Sequence, residues 1–375
     1  MKIPTRCGKS VIPFFTNVRN HGHILPWSFL SPYIYLHAFC HRNLLSISGN
    51  LTNDNLNVAL NANRTKQILT SHPEVKKLMG HDPMTKWKLF IYYGVQFASL
   101  EILVGAPWYI WAFCCCTICA TMNNSLPLAF HEISHNLGAK KMWHNRVLAI
   151  IANLPMAIPA ASTFRRYHIE HHKFQGEHIV DVDIPSDLEG RVFRPNLLSK
   201  AVWMFFQPAW YSLRPLVMNP KNVTMWELIN YIASIAFDLA IYSRYGISGV
   251  VYLALGSLAG MQFHPIAGHF IAEHFIFHDG QETYSYYGPL NWLTFHVGYH
   301  NEHHDFPFVT GKNLHKLRAI APEYYDTLPH YHSWTKVLID FLLDEKLSPF
   351  SRVKRATMLD SEVKALQVKG GLVPR

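Results

Sequence analysis

Four apolar stretches, residues 88–104, 108–130, 227–243 and 247–270, occur in two closely spaced pairs along the chain. Roughly twenty apolar residues cross the hydrocarbon core of a bilayer as a helix, and a backbone in lipid must satisfy its own hydrogen bonds. Each pair therefore predicts a helical hairpin, and the chain is expected to be an all-α integral membrane protein with about four transmembrane helices. Charged residues make up only 16% of the 375 positions and aromatic ones 14%, a balance that points to the same class. Trp87, Trp108, Trp111 and Trp226 stand where interfacial anchors belong, and Glu101 and Asp238 are the acidic residues that the spans must accommodate.

Basic residues fix the orientation, because Lys and Arg are retained on the cytosolic side. Lys66, Lys76, Lys77, Lys86 and Lys88 precede the first span. Lys140, Lys141, Arg146, Arg165, Arg166 and Lys173 follow the second, and Lys312, Lys316 and Arg318 follow the fourth. Between the members of each pair, residues 105–107 are uncharged and 242–249 carry only Arg244. Both termini and the long segments around the spans are thus expected in the cytosol. The net charge of +9 reads as topology and contact with anionic headgroups. It does not suggest nucleic-acid binding, since the basic residues are dispersed among apolar segments instead of forming one stripe.

Six cysteines do not make a secreted framework: Cys114, Cys115, Cys116 and Cys119 share one span, with Cys7 and Cys40 far away. Cys116 and Cys119 spell CxxC, but small polarizable residues on a packed face account for them. The sequons at Asn50, Asn63 and Asn222 fall on the cytosolic side and are expected to stay unmodified. Residues 1–60 form an N-terminal extension with no sustained periodicity, no clean cleavable signal and no assigned role; its His37 and His41 lack further ligands nearby. The tail, 356–375, closes on GGLVPR, which reads as a protease-site scar. A stretch at 147–161, broken by Pro155 and Pro159, suits a helix at the membrane interface or one entering only partway. Further helices are expected near 313–319 and 333–344.

Chemistry concentrates in three histidine boxes: His131 and His135 in HEISH, His168, His171 and His172 in HIEHH, and His300, His303 and His304 in HNEHH. All lie on the cytosolic side of the predicted spans. Residues three and four apart share a helix face, so each box can aim its imidazoles at one centre. Adjacent histidines diverge by about 100° on a helix, so His171 and His172, or His303 and His304, can each serve one of two neighbouring metals. Nitrogen donors of this kind suit iron, zinc or copper. A ninth ligand is expected from HPIAGHFIAEH, where His274 is favoured over His269 and His264. Glu132, Glu170, Glu273 and Glu302 stand beside the boxes and can orient imidazole N–H groups or ligate directly.

The boxes and their surroundings resemble the membrane fatty acyl desaturase superfamily and, more closely, the sphingolipid delta-4 desaturases. The resemblance rests on HPEVKKLMGHDP, ANLPMAIP, FRRYHIEHH, DVDIPSDLEG, GHFIAEH, ETYSYYGPLN, GYHNEHHDFP and EYYDTLPHYHSW, and covers residues 61–355. Residues 1–60 are a departure, because the family lead-in is short. The resemblance implies that the eight box histidines ligate two iron ions, that dioxygen is co-substrate, and that dihydroceramide is converted to ceramide in the endoplasmic reticulum. It also implies electrons from NADH through cytochrome b5 reductase and cytochrome b5. The chain lacks HPGG, the heme motif of a fused cytochrome b5 domain, so the donor is expected to be a separate protein. Tyr284, Tyr286, Tyr287, Asp181, Asp183 and Asp187 are candidates either for a headgroup site and partner docking or for interfacial anchors and loop caps.

Three other readings compete. Hydroxylation at carbon 4 of the sphingoid base, alone or beside desaturation, uses the same metals and differs only in substrate placement. HEISH also satisfies HExxH, the zinc metalloprotease signature, but that reading leaves both HxxHH boxes without a role. A metal carrier would place ionisable residues within its spans, whereas these boxes flank them.

Overall fold

The structure is a computed structural model that describes residues 63–355. The N-terminal extension 1–60 with His37, His41, Cys7, Cys40 and Asn50, and the tail 356–375, lie outside the described residues. Among the described residues the chain is helical, with three isolated bridges and no extended strand. We label the principal helices α1 (63–71), α2 (Thr85–Ile102), α3 (Trp108–Ser134), α4 (Met142–Asn153), α5 (Ala161–Phe174), α6 (Asp187–Val192), α7 (Leu197–Phe205), α8 (Gln207–Met218), α9 (Met225–Gly260), α10 (Gly268–Ala272), α11 (His300–Asp305), α12 (Gly311–Ile320), α13 (Pro322–Tyr325) and α14 (Trp334–Leu343).

Among the described residues, only α3 is by itself long and apolar enough to cross a membrane. Up to three segments qualify if two bent pairs, α4 with α5 and α9 with α10, each count as one crossing. By contrast, α2 carries Lys86, Lys88 and Glu101 in its 18 residues, which lowers its apolar content at both ends. The first expected hairpin turn is present: Gly105 takes the left-handed φ of 73°, and Pro107 precedes α3. Within α3, Cys115–Cys119 winds as a π-helix, and its four described cysteines are free.

The second expected turn, 242–249, contracts to one residue. Gly246 has φ 66° and ψ −166°, which is not helical, so α9 is two helices joined there. Glycine is the residue able to hold such a backbone angle without a steric penalty. At this joint Arg244 and Tyr245 reach Glu101 at the end of α2, at 2.7 and 2.8 Å. Glu101, an acidic residue in an apolar stretch, thereby gains two partners. The opposite ends of both arms meet other helices: the Asn230 amide donates to Asn153, and Gly260 lies against Ala120 and Asn124 of α3. The two arms of α9 therefore fold back on each other, as a hairpin does.

The stretch 147–161 breaks where its prolines predict. α4 gives way to a short 3-10 turn, Leu154–Met156, and α5 leaves at 116°. Asn153 secures the bend: its side-chain oxygen accepts from the Ala160 and Ala161 amides, and its amide donates to the Ile158 carbonyl. Those N–H groups begin a helix and have no intrahelical acceptor. Pro155 and Pro159 keep the intervening backbone out of the helix.

Apolar side chains are plentiful on the outside of the bundle. Phe90, Ile91, Ile102, Trp108, Phe113, Leu239 and Ile247 on α2, α3 and α9 are all exposed. An apolar exterior of this extent fits a lipid environment. Polar residues turn inward: Gln96, Asn123, Asn153, Asn230 and Ser257 are buried and joined by side-chain hydrogen bonds. A separate core of Trp203, Phe275, Tyr286, Trp334 and Phe341 supports the histidine-bearing end, where α12 and α14 form at the expected places.

Candidate metal centre

His131 and His135 sit one turn apart at the end of α3, three histidines line α5, and three make up half of α11. The fold gathers seven of these eight, together with His274, into two groups and leaves His300 beside the second through His274. In the first, His131, His135, His168, His172 and His303 each offer one nitrogen, all within 4.8 Å of one another. The Nε2 atoms of His135 and His168 are 2.9 Å apart, those of His168 and His172 3.1 Å, and those of His172 and His303 3.1 Å. His171, His274 and His304 form the second group. The His274 Nε2 faces that of His171 at 3.1 Å and that of His300 at 2.9 Å.

Each adjacent pair is divided between the groups. His172 and His303 go to the first, His171 and His304 to the second, and the rings of His303 and His304 stand at 90° to each other. The helical turn between neighbouring residues causes this separation. His269 and His264 join neither group. The His269 Nδ1 faces Glu273 at 3.2 Å, and His264 caps a short turn and contacts Thr121.

The residues present fit metal ions. A neutral imidazole has one donor and one acceptor, so hydrogen bonds cannot satisfy all the facing nitrogens: His168 Nε2 meets two other Nε2 atoms, and so does His274 Nε2. The buried His304 Nε2 has no hydrogen-bond partner at all. With metal–nitrogen bonds of about 2.1 Å, two ligands at a right angle lie about 3.0 Å apart. The observed separations of 2.9 to 3.1 Å match that edge. Burial, and then the neighbouring imidazoles, hold His300, His303 and His304 well below the ordinary histidine pKa. They are neutral at physiological pH, with lone pairs free to ligate.

Outward-facing nitrogens are held as well. His171 Nδ1 bonds the Asp181 carboxylate at 3.0 Å, and His274 Nδ1 donates to the Glu282 carbonyl at 3.1 Å. Such partners set the tautomer and ring orientation of a metal-binding histidine. Of the four glutamates expected to take this role, Glu273 alone approaches a box imidazole, lying 3.8 Å from His300 Nδ1. Glu132 accepts from the Gly311 amide, and Glu170 pairs with Lys221 and Asn219. Glu302 accepts from Ser285 and Tyr287, and burial pushes its carboxyl up to about 7.

The aromatic and acidic candidates of the loops have structural partners. Tyr284 donates to loop carbonyls, Tyr286 stacks on Trp334 at 4.1 Å, and Tyr287 lies under the Arg318 guanidinium at 3.6 Å. Asp183 pairs with Arg352, and Asp187 with Lys354 and His178. Asp181 is different, because it supports His171 directly. Its place ten residues beyond His171, in the same polar loop as Asp183 and Asp187, gives it no distinguishing mark in the sequence.

Sequence comparison adds the family. Residues 106–336 match the Fatty acid desaturase family, and residues 62–84 match the family Sphingolipid Delta4-desaturase (DES). The chain is 48% identical over 297 residues to sphingolipid delta(4)-desaturase DES1 of Homo sapiens, covering 78% of this chain and 91% of that one. It is 48% identical over 298 residues to sphingolipid delta(4)-desaturase/C4-monooxygenase DES2 of Homo sapiens, covering 79% and 92%. To sphingolipid delta(4)-desaturase DES1 of Drosophila melanogaster it is 47% identical over 299 residues, covering 78% and 92%. With these matches spanning the three boxes and the helices that carry them, the chain belongs to the sphingolipid delta(4)-desaturase family and is an oxidoreductase.

Proposed function

We propose that the protein removes two hydrogens from carbons 4 and 5 of the sphingoid base of dihydroceramide, giving ceramide. The observation that carries this reading is the pair of adjacent, histidine-only groups at one end of an apolar helix bundle. His131, His135, His168, His172 and His303 would hold one iron ion, and His171, His274, His300 and His304 the other. Iron with dioxygen supplies the oxidising power that no side chain possesses. The protein's part is to present neutral imidazoles in fixed directions, to exclude water by burial, and to position a lipid chain arriving from the bilayer. His274 completes the second group, while His269 is assigned a supporting place through Glu273.

The bundle is read as four spans, residues 88–104, 108–130, 227–243 and 247–270, in the endoplasmic reticulum membrane. The boxes and both termini lie in the cytosol. Dioxygen is reduced to two waters using the two hydrogens taken from the lipid, two electrons from NADH delivered through cytochrome b5 reductase and a separate cytochrome b5, and two further protons.

Hydroxylation at carbon 4 is the second reading, favoured by the equal 48% identity to a desaturase and to a desaturase/C4-monooxygenase. The metalloprotease alternative loses support, because the HEISH glutamate is engaged by the Gly311 amide and five histidines crowd the same group. Microsomes containing the protein, incubated with a defined dihydroceramide, NADH and oxygen, test the proposal by mass spectrometry. A product lighter by two hydrogens means desaturation, and one heavier by an oxygen atom means hydroxylation. Absence of both products in the presence of active cytochrome b5 and its reductase overturns the reading.

A further inference from the structure

The last five described residues, Ser351 to Arg355, form a strap packed behind the second histidine group. The Ser351 carbonyl accepts from the Ile276 amide at 2.8 Å. Arg355 makes a short backbone bridge with the loop after α5: its amide donates to the Gly176 carbonyl at 2.7 Å, and its carbonyl accepts from His178 at 3.0 Å. Gly176, at φ 80°, leaves no room for a side chain where the Arg355 guanidinium passes. Two loops that are distant in sequence, the one after α5 and the one after α10, are thus held together by a third segment.

Both arginines of the strap are buried, and each finds a carboxylate. Arg355 donates to the Gln175 carbonyl and to Glu282 Oε1, both at 2.6 Å. Arg352 donates to Asp183 Oδ2 at 2.5 Å and lies over the Phe275 ring. These contacts fall on the stretches that support the second group. The Asp183 amide donates to Asp181 Oδ1 at 3.0 Å, the Gly176 amide donates to Asp181 Oδ2 at 2.8 Å, and Asp181 in turn holds His171. The backbone carbonyl of Glu282, whose side chain Arg355 grips, holds His274. A guanidinium fork imposes direction as well as charge on its partners, and a buried carboxylate that loses its cation is strongly destabilised in place.

We infer that Arg352 and Arg355 are positioning residues for the second metal site, acting through Asp181 on His171 and through Glu282 on His274. The inference rests on the proposed two-metal reading. In this arrangement the C-terminal strap decides the occupancy of one site of the pair, while Asp181 and Glu282, the carboxylate and carbonyl it steadies, hold His171 and His274 and no histidine of the first group. Loss of the strap would leave an enzyme with one metal and no turnover.

The test is a chelator titration of the purified full-length protein loaded with ferrous iron, following iron per chain. The wild type is expected to hold two irons tightly. Arg355→Gln is expected to hold one as before and the other about 10- to 100-fold more weakly, the usual effect of removing an outer partner of a ligand. Arg355→Lys keeps the charge toward Glu282 but lacks the fork, and is expected to fall between the two. If Arg355→Gln fails to fold, Arg355→Lys is read in the same way. Unchanged affinity at both sites, or equal weakening at both, overturns the positioning role. A wild-type protein that binds no iron overturns the two-metal reading instead, which separates the two failures.

Discussion

Asp305, the residue after His304, receives both arms of the Arg64 guanidinium, at 2.7 and 2.9 Å. Tyr325 adds a third hydrogen bond to the same carboxylate at 3.1 Å. The Asp305 side chain is fully buried, and that of Arg64 is 17% exposed. This pair ties α1 and α13 to the helix that carries the third histidine box, so helices without any box histidine help to fix where His303 and His304 point. Arg64→Ala strands the Asp305 carboxylate in the protein, and we expect a loss of about 3 kcal/mol in stability. The double variant Arg64→Met with Asp305→Leu should recover part of it, because no charge is then left unpaired. Thermal unfolding in detergent compares the three proteins.

The histidine groups predict a shared requirement with separable metal contents. His303→Ala removes a nitrogen from the first group and His171→Ala one from the second. Turnover of dihydroceramide should fall to background in both, while membrane insertion, read by carbonate extraction, is unchanged. Retained turnover in both variants would defeat the ligand assignment.

Close helix contact at Gly260 predicts a steric effect. A Cβ placed there would lie 2.6 Å from the Ala120 carbonyl oxygen and 2.9 Å from the Asn124 Cβ. Gly260→Val should therefore push α9 away from α3, costing about 1 to 3 kcal/mol as overpacking does. Because His131 continues from the same face region of α3, activity should drop with stability. An unchanged unfolding midpoint for this variant would contradict the packing.

Glu189 and Arg214 predict a pH dependence. Arg214 donates to both carboxylate oxygens, at 2.6 and 2.7 Å, and Trp203 and Ser186 add further hydrogen bonds. Burial alone would raise the Glu189 pKa, but the Arg214 hydrogen bonds and charge outweigh it, so the folded value lies below the ordinary glutamate range. The stabilisation is accordingly complete above the unfolded pKa of about 4.3. It is lost as pH falls through the lower folded value. Glu189→Gln should be less stable than wild type at pH 7, and the gap between the two should close below about pH 4. Unfolding midpoints across that range provide the measurement, and a gap that widens on acidification would reverse the assignment.

Much of the helical frame was legible because apolar runs and glycine or proline breaks are local signals. The turn before Pro107 and the bend between Pro155 and Pro159 follow from single residues whose backbone limits are known in advance. Gly246 was legible only as part of a broader stretch whose one charge is Arg244. That one glycine makes the whole turn depends on Arg244 and Tyr245 finding Glu101 on another helix. Gly256 and Gly260 spell a small-xxx-small pattern, yet which helix they meet is a matter of packing.

By itself the sequence determined the class of protein, the three boxes and the way each adjacent histidine pair splits, because helical periodicity is set by the backbone alone. Only the tertiary structure decided that His274 joins His171 and His304 while His269 turns to Glu273, that Glu132 and Glu302 bond to other groups, and that Asp181 holds His171. These residues are neighbours only after loops from distant parts of the chain converge. Where a side chain points at the end of such a path depends on what it packs against, and Arg64, Arg352 and Arg355 supply much of that contact from the two ends of the described chain.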